Sequence, residues 1–110
     1  MIQSITVENV KITVNYKFDN LQDPVKETIF ETIEKGFHQK LDRYIEKYNK
    51  EDVQAHLSFH ISKNNKWLYD ANFNFKLWPK NIIYKRENFK NVLDLTTHFF
   101  DHVKEQLSSK

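Results

Sequence analysis

The sequence predicts an α+β fold, a two-layer sandwich in which two helices pack on one face of a four-stranded sheet. Several stretches alternate apolar and polar residues, which is typical of half-buried strands. Two longer stretches place apolar residues at three- and four-residue steps, which is typical of amphipathic helices. Their order along the chain is β-α-β-β-β-α. The 110 residues fit one core, so we expect residues 1–110 to form a single domain.

The first strand is predicted within residues 5–18, where apolar residues alternate with polar ones. The apolar parity switches at Glu8 and Asn9. Such a switch indicates either a bulge or a tight turn. We favour one bent strand, so that residues 5–18 count as a single element of the sheet.

Asp23 and Pro24 predict the start of the first helix, with the Asp23 carboxylate as its cap and proline in the first turn. From Val25 to Tyr48, apolar residues recur at helical spacing. The pattern predicts one amphipathic helix of about five to six turns at ~3.6 residues per turn. Its outer side is acidic at the start and basic at the end, as the helix dipole prefers.

The remaining strands and the last helix follow without a recognisable linker. Alternation predicts strands at Val53–Ile61, at about Trp67–Trp78 and at Ile82–Arg86. Asn88 is the predicted cap of the last helix, whose apolar stripe runs from Phe89 to Leu107. We expect the strands to pair as an antiparallel sheet under the two helices.

The third strand raises a functional question, because aromatic residues alternate along it between lysines and asparagines. Aromatics on an open sheet face are a stacking platform for single-stranded RNA. Here Tyr69, Phe73 and Phe75 share the parity of the apolar residues in the preceding strand. We therefore expect these rings in the core, while Trp78 is either a packing lid or an RNA contact.

Composition excludes several classes of protein. A single glycine leaves no glycine-rich loop for phosphate or dinucleotide binding, and the absence of cysteine excludes disulfides, thiolate zinc sites and a cysteine nucleophile. The N-terminus has no signal-peptide pattern, and no apolar stretch is long enough to span a bilayer. We expect a soluble cytoplasmic protein without membrane association.

Catalytic and metal-binding patterns are weak. His98 and His102 lie one helical turn apart, but there is no third histidine on that helix and no HExxH motif. His56 and His60 share one face of a strand, yet four strand residues separate them by ~13 Å. No Gly-x-Ser-x-Gly elbow occurs, and the acids of the first helix lie on a solvated face. We expect no catalytic residue, no metal, no cofactor and no small-molecule substrate.

Basic residues concentrate in two blocks. Residues 35–50 contain five basic and two acidic residues, and residues 60–90 contain seven basic and two acidic residues. Since the net charge is only +2, the rest of the chain is acidic. This asymmetry suggests a polyanionic partner, although a lysine-rich solvated surface gives the same count. The predicted phosphate contacts are Lys40, Arg43 and Lys47 on the first helix, and Lys76, Lys80, Lys85, Arg86 and Lys90.

Short motifs spread over the chain resemble one known family. They are residues 9–13 (NVKIT), 40–44 (KLDRY), 53–61, 70–71 (DA), 88–89 (NF) and 92–94 (VLD). Together with the element order, they resemble the ribosome hibernation-promoting factors, also called ribosome-associated inhibitors or protein Y. The family has "NVxIT" near its N-terminus and a "DA…DMYAAID" segment running from the third strand into the last helix.

The resemblance implies a ribosome hibernation factor that acts without catalysis. In that family the domain docks in the decoding channel of the small ribosomal subunit and occupies the places of messenger and transfer RNA. It thereby inhibits translation in idle cells through contacts to ribosomal RNA and ribosomal proteins. The chain resembles a short form without the second, dimerising domain, so we expect a monomer off the ribosome.

Two departures from the family shift the expected contacts. Residues 14–23 intervene between the NVKIT motif and the first helix, as an extended strand or an inserted loop. The last helix, which is rich in Lys and Arg in the family, reads THFFDHVKEQLSSK. We therefore expect the RNA contacts on the first helix and on the Lys76–Lys90 stretch rather than on the last helix. Two alternatives stay open: a generic double-stranded-RNA-binding module, or a scaffold protein of this fold that has lost RNA binding.

Overall fold

A computed structural model of the protein describes residues 2–46, 54–77 and 80–108. Its elements are β1 (Ile2–Val7), β2 (Val10–Asp19), α1 (Asp23–Gln39), α2 (Asp42–Glu46), β3 (Gln54–Lys63), β4 (Tyr69–Leu77), β5 (Lys80–Phe89) and α3 (Val92–Ser108). The strands form one sheet in the order β1-β2-β3-β4-β5. The predicted α+β class is confirmed. The predicted four strands and two helices are replaced, among the described residues, by five strands and three helices.

The N-terminal segment is a hairpin, so the prediction of one bent strand is wrong. β1 and β2 pair antiparallel, and Val7 lies opposite Val10 with only two residues between them. Those residues, Glu8 and Asn9, have φ values of 50° and 68°. Two consecutive left-handed residues form the type I′ turn that matches the twist of a two-residue hairpin. The parity switch is therefore a change of strand.

The sheet is mixed, which corrects the expectation of an antiparallel sheet. β2 pairs parallel with β3, with Tyr16 opposite Phe59, while β3, β4 and β5 pair antiparallel in sequence. Residues 14–19 continue β2, so the departure from the family pattern is an extended strand. A parallel pair needs a long crossover connection, and α1 lies in the segment that joins β2 to β3.

The first helix ends earlier than its apolar pattern predicts. The N–H groups of Lys40 and Leu41 both bond to the Gly36 carbonyl, at 2.9 and 3.2 Å, and this turn closes α1. The Leu41 carbonyl then accepts the Ile45 N–H at 2.9 Å and starts α2. Leu41 and Ile45 are both 0% exposed. The break preserves the burial of both side chains, so it leaves no trace in the apolar spacing.

The predicted helix caps are displaced in both cases. Gln22 is the N-cap of α1, without a side-chain cap bond, whereas Asp23 is the first helical residue. The Asp23 carboxylate lies 3.6 Å from the Lys26 ammonium. At α3 the cap is Asn91, whose Oδ1 accepts backbone N–H groups of the first turn. Asn88, the predicted cap, has φ 56° and belongs to the end of β5 instead.

The core fills the space between one face of the sheet and the helices, as the strand parity predicts. Phe73 and Phe75 are 0% exposed. The Phe73 ring stacks on Phe59 with centroids 3.9 Å apart, and Phe99 of α3 meets it edge-on at 5.0 Å. The aromatic residues of β4, the predicted third strand, are therefore part of the core and do not form a stacking platform for RNA. The predictions on Val53 and Trp78 fall outside the described residues.

One glycine sets how closely the helices approach each other. A Cβ at Gly36 of α1 would lie 2.3 Å from the Phe100 ring of α3. Phe100 also meets Phe37 edge-on at 5.5 Å, so the ring is held between the two helices. Because Gly36 has no side chain, α1 lies directly against this ring. The contact sets the position of α1 relative to α3, and Lys40 and Arg43 follow directly after α1.

Candidate nucleic-acid interface

The side of the sheet that faces away from the helices, which we name the open face, is polar. Its outward positions alternate with the buried residues and include Ser4, Thr6, Lys11, Thr13, Asn15, Lys17, His56, Ser58, His60, Asn72, Asn74, Lys76, Asn81, Ile83 and Lys85. Among the described residues it presents no phenylalanine, tyrosine or tryptophan. The His56 and His60 rings can stack on bases, whereas most of the other side chains on this face are lysines, hydroxyls and amides that suit the backbone of a nucleic acid.

Four lysines give the open face its charge. Lys11, Lys17, Lys76 and Lys85 are all exposed. Lys17, His60, Asn72 and Lys85 lie in one cross-strand row. With strands ~4.8 Å apart, the two lysines of this row are ~14 Å from each other. Within the described residues, none of the four ammonium groups has an ion-pair partner. They are therefore available to an external anion.

Two carboxylates of the open face, Asp19 and Asp70, lie at one end of the sheet and are already bonded. Asp19 Oδ2 lies 2.8 Å from His60 Nε2. Asp70 Oδ1 accepts the Asn64 side-chain amide at 3.1 Å and the Asn88 backbone N–H at 3.0 Å. Glu87 of β5 lines the same end of the face with Asp70 and Lys85, so the acids gather at this end and the remainder of the face is positive.

A β-bulge explains how Asp70 reaches the backbone of β5. Tyr69 pairs with Phe89 and Ala71 pairs with Arg86, so β5 contains one more residue than β4 across this step. Asn88 takes up the extra length with φ 56°, a conformation that asparagine tolerates. Bulges re-aim neighbouring side chains. This one lies beside Lys85 and Arg86 on the outer edge of the sheet.

The structure separates the predicted contacts of the Lys76–Lys90 stretch. Lys76 and Lys85 lie on the open face, opposite His56 and Asn72 respectively. Lys80 and Lys90 flank the two ends of the ten-residue β5. These ends are ~30 Å apart at ~3.3 Å per residue. One compact basic patch around the β4–β5 turn is therefore not formed.

Arg86 lies on the other parity of β5 from Lys85. Its Nε donates to the Tyr84 hydroxyl at 3.1 Å. Its guanidinium carbon is 5.3 Å from the centre of the Tyr84 ring. Arg86 is exposed while Tyr84 is buried, so the guanidinium covers the rim of the core. Its charge lies on the helix side of the edge strand.

The predicted basic residues of the first helix form a separate group on the helix layer. Lys40 follows α1 and Arg43 lies in α2, and both are exposed. They line a groove of about 420 Å³ together with Gln39, Asp42, Tyr44, Phe100, Asp101 and Lys104. Lys104, the basic residue left in the described part of α3, also lies 5.8 Å from the Tyr44 ring centre. Lys47 falls outside the described residues.

Lys11 and Lys17 are functional candidates that the sequence blocks did not identify. Both lie in β2, outside the two basic blocks, yet the register brings them onto the same face as Lys76 and Lys85. The available signal is their parity, which is opposite to that of the buried Val10, Ile12 and Tyr16. Counting charges along the sequence does not detect a surface that is assembled across strands.

The histidines of α3 pack against aromatic rings. The His98 ring lies 5.6 Å from Phe89, and the His102 ring lies 5.4 Å from Tyr84. No group of three or more His, Asp or Glu residues within ranges 2–46, 54–77 and 80–108 could hold a metal ion. None of the helices described in those ranges is long and apolar enough to cross a bilayer.

No family model, no curated protein and no solved structure matches the chain. The element order β2-α1-β3-β4-β5-α3 contains the predicted β-α-β-β-β-α order, with β1 and α2 added. The resemblance to hibernation factors therefore rests on short motifs and on this order.

Proposed function

We propose that the protein is a ribosome hibernation factor that binds ribosomal RNA in the decoding channel of the small subunit and blocks messenger and transfer RNA. The observation that carries this proposal is the open face, a polar surface with four lysines that have no ion-pair partner in the described part of the chain. Such a surface binds phosphates and 2′-hydroxyl groups without reading bases. Folded RNA presents both of these groups.

The open face combines charge with neutral hydrogen-bonding groups. The row Ser4, Thr13, His56, Lys76 and Asn81 crosses all five strands and ends on a lysine and an amide. Lysine contributes sequence-independent attraction to phosphate, whereas hydroxyls and amides donate and accept hydrogen bonds with ribose. This mixture favours recognition of RNA by shape.

Basic groups on both layers favour an enclosing site over a single duplex. Lys76 and Lys85 lie on the open face, while Lys40, Arg43 and Lys104 lie on the helix layer. One rigid duplex laid against the sheet would leave the helix-layer group in solvent. A channel walled by RNA would reach both layers, and a rigid body within it would exclude competing ligands.

Sedimentation with salt-washed small subunits tests the proposal. The wild-type protein is expected to co-sediment, with an affinity that falls steeply as salt rises. Lys76→Glu with Lys85→Glu removes two expected phosphate contacts, so the log–log salt slope should fall by about two. The matched control is Lys26→Glu with Lys35→Glu, which makes the same charge change on α1, outside the open face and outside the groove lined by Lys40 and Arg43.

The proposal fails if the wild-type protein stays unbound at low salt. It also fails if the open-face variant and the α1 control lose affinity equally, because net charge alone would then account for binding. Inhibition of cell-free translation should follow the same order as sedimentation. A variant that binds weakly but inhibits fully would separate inhibition from this surface.

A generic double-stranded-RNA-binding module is the second candidate, because three antiparallel strands, β3 to β5, lie between α1 and α3 in the chain. Competition by plain RNA duplex, without preference for small subunits, would favour it. A scaffold that has lost RNA binding is the third candidate, since α3 has no basic residue in its last turn. Ribosome association that survives Glu at Lys40, Arg43, Lys85 and Arg86 would favour the scaffold.

A further inference from the structure

The loop that joins β3 to β4 presents an exposed tryptophan. Trp67 is 76% exposed, more than Ile2, Ile83 or Leu93, the other exposed large apolar residues of the described chain. A single exposed apolar side chain is common and needs no function by itself. Two further features of this loop, its backbone conformation and its charged neighbours, indicate that the ring contacts a ligand.

Trp67 is held in a strained backbone conformation. Its φ of 63° lies in the left-handed region, which is unusual for a bulky residue. The Trp67 N–H bonds to the Asn64 carbonyl at 3.0 Å, and Asn64 Oδ1 accepts the Lys66 and Leu68 N–H groups at 2.9 and 3.2 Å. Such strain persists only where surrounding bonds enforce it, and it concentrates at ligand-contacting sites.

The same asparagine anchors the loop to the sheet. Asn64 Nδ2 donates to Asp70 Oδ1 at 3.1 Å and to Asn88 Oδ1 at 2.8 Å. Asn20, at the end of β2, donates its amide to the Lys63 carbonyl at 3.4 Å. The loop is thus tied to β2, β4 and β5, and the tryptophan is presented from a fixed base. Binding to a preorganised ring loses little conformational entropy.

The groups around the ring are cationic or amide-bearing. Lys63 Nζ lies 5.0 Å from the centre of the Trp67 ring. The ring borders a groove of about 450 Å³ that is lined by Asn20, Lys63, Asn64, Asn65 and Trp67. No carboxylate and no aliphatic side chain is among these lining residues. The exposed Lys66 is adjacent to Trp67 in the chain.

We infer that Trp67 stacks on an unpaired base of the bound RNA, with Lys63 and Lys66 on the flanking phosphates. The inference rests on the proposed RNA-binding function and adds a single-stranded element to its target. An aromatic face with neighbouring cations and amides suits a nucleotide, since bases stack and phosphates attract lysine. An apolar protein partner would meet ammonium and amide groups around the ring. The open face then contacts the folded part of the RNA, and the β3–β4 loop holds an unpaired nucleotide that projects from that folded part.

Fluorescence of Trp67 provides the direct test. In a Trp78→Phe background, Trp67 is the only tryptophan of the chain. Octauridine should quench its emission, whereas a blunt 16-base-pair RNA duplex should not. Trp67→Asn should weaken binding of a duplex with a single-stranded overhang at least about fivefold, the lower range for losing one stacked base. Leu93→Asn, at an exposed leucine of α3, is the matched control.

Thermal melting separates a binding role from a structural one. Asparagine tolerates the left-handed conformation, so Trp67→Asn should keep or raise the melting temperature. A lowered melting temperature would overturn the inference, because the ring would then serve the fold. Equal affinity for blunt and overhang duplexes, without quenching by octauridine, would overturn it while the proposed function stands. Absence of binding to any RNA would overturn the inference and RNA recognition together.

Discussion

Replacing Gly36 by alanine tests whether the close contact between α1 and α3 is obligatory. Alanine in a helix is normally more stable than glycine by ~0.5–1 kcal/mol. At this position, however, the new Cβ would lie 2.3, 2.4 and 2.8 Å from three carbons of the Phe100 ring. Carbon atoms prefer separations of about 3.5–4.0 Å, so the ring would have to move by about 1 Å or more.

The surroundings of Phe100 oppose that movement. The side chain is 1% exposed and lies between Phe37 and Phe99, each with ring centroids 5.5 Å away. Overpacking of a filled core costs ~1–3 kcal/mol. After the gain in helix propensity is subtracted, we expect Gly36→Ala to lower the free energy of unfolding by about 1–2 kcal/mol. The melting temperature should fall by about 4–9 °C.

Urea unfolding followed by circular dichroism measures this effect, and a double-mutant cycle assigns its cause. In a Phe100→Leu background the ring atoms that contact Gly36 are gone. There, Gly36→Ala should be neutral or stabilising by up to ~1 kcal/mol. A stable Gly36→Ala protein, or an equal cost in both backgrounds, would refute the idea that the ring requires glycine at this position.

Three further variants test other features. The double variant Glu8→Asn with Asn9→Gly should raise stability by about 1–2 kcal/mol in thermal melts, because both positions have a left-handed backbone. An unchanged midpoint would contradict the type I′ turn. Burial raises the pKa of Tyr16 above its ordinary 10.0, so stability is full below pH 10 and falls as pH rises further. Tyr16→Phe should flatten that alkaline decline, and an identical pH profile would argue against it. Asp70→Ala removes the acceptor of the exposed Asn88 N–H, which should cost about 0.5–1.5 kcal/mol and speed hydrogen exchange at that amide; unaltered exchange would count against this role.

The strands and the core were predictable because period-two alternation reports directly which face of a strand is buried. Phe73 and Phe75 are buried as their parity indicates. The hairpin was missed because its turn, Glu8-Asn9, has no glycine, which is the usual sign of two left-handed residues. The end of α1 was missed for a related reason, since Leu41 continues the helical spacing while its backbone begins a new turn.

The candidate site was predictable only in part, because alternation identifies a face but not the neighbours of a strand. Lys76 and Lys85 were proposed from sequence and lie on the open face. Lys17 joins the same face through the parallel pairing of β2 with β3, and parallel and antiparallel pairs have the same alternation. Alternation alone places Trp67 at the start of a strand. Its left-handed backbone follows from hydrogen bonds of Asn64, which no residue pattern specifies.

The parallel pair at the centre of the sheet has a consequence for how the chain folds. The β1–β2 hairpin and the β3–β4–β5 meander each form from contacts that are close in sequence, whereas β2 meets β3 only after residues 20–53 are closed into a loop. Closure of a long segment is entropically costly before its contacts form, which slows folding. We therefore expect two locally assembled halves that associate late. Until the two halves associate, the unpaired edges of β2 and β3 are exposed to other nascent chains.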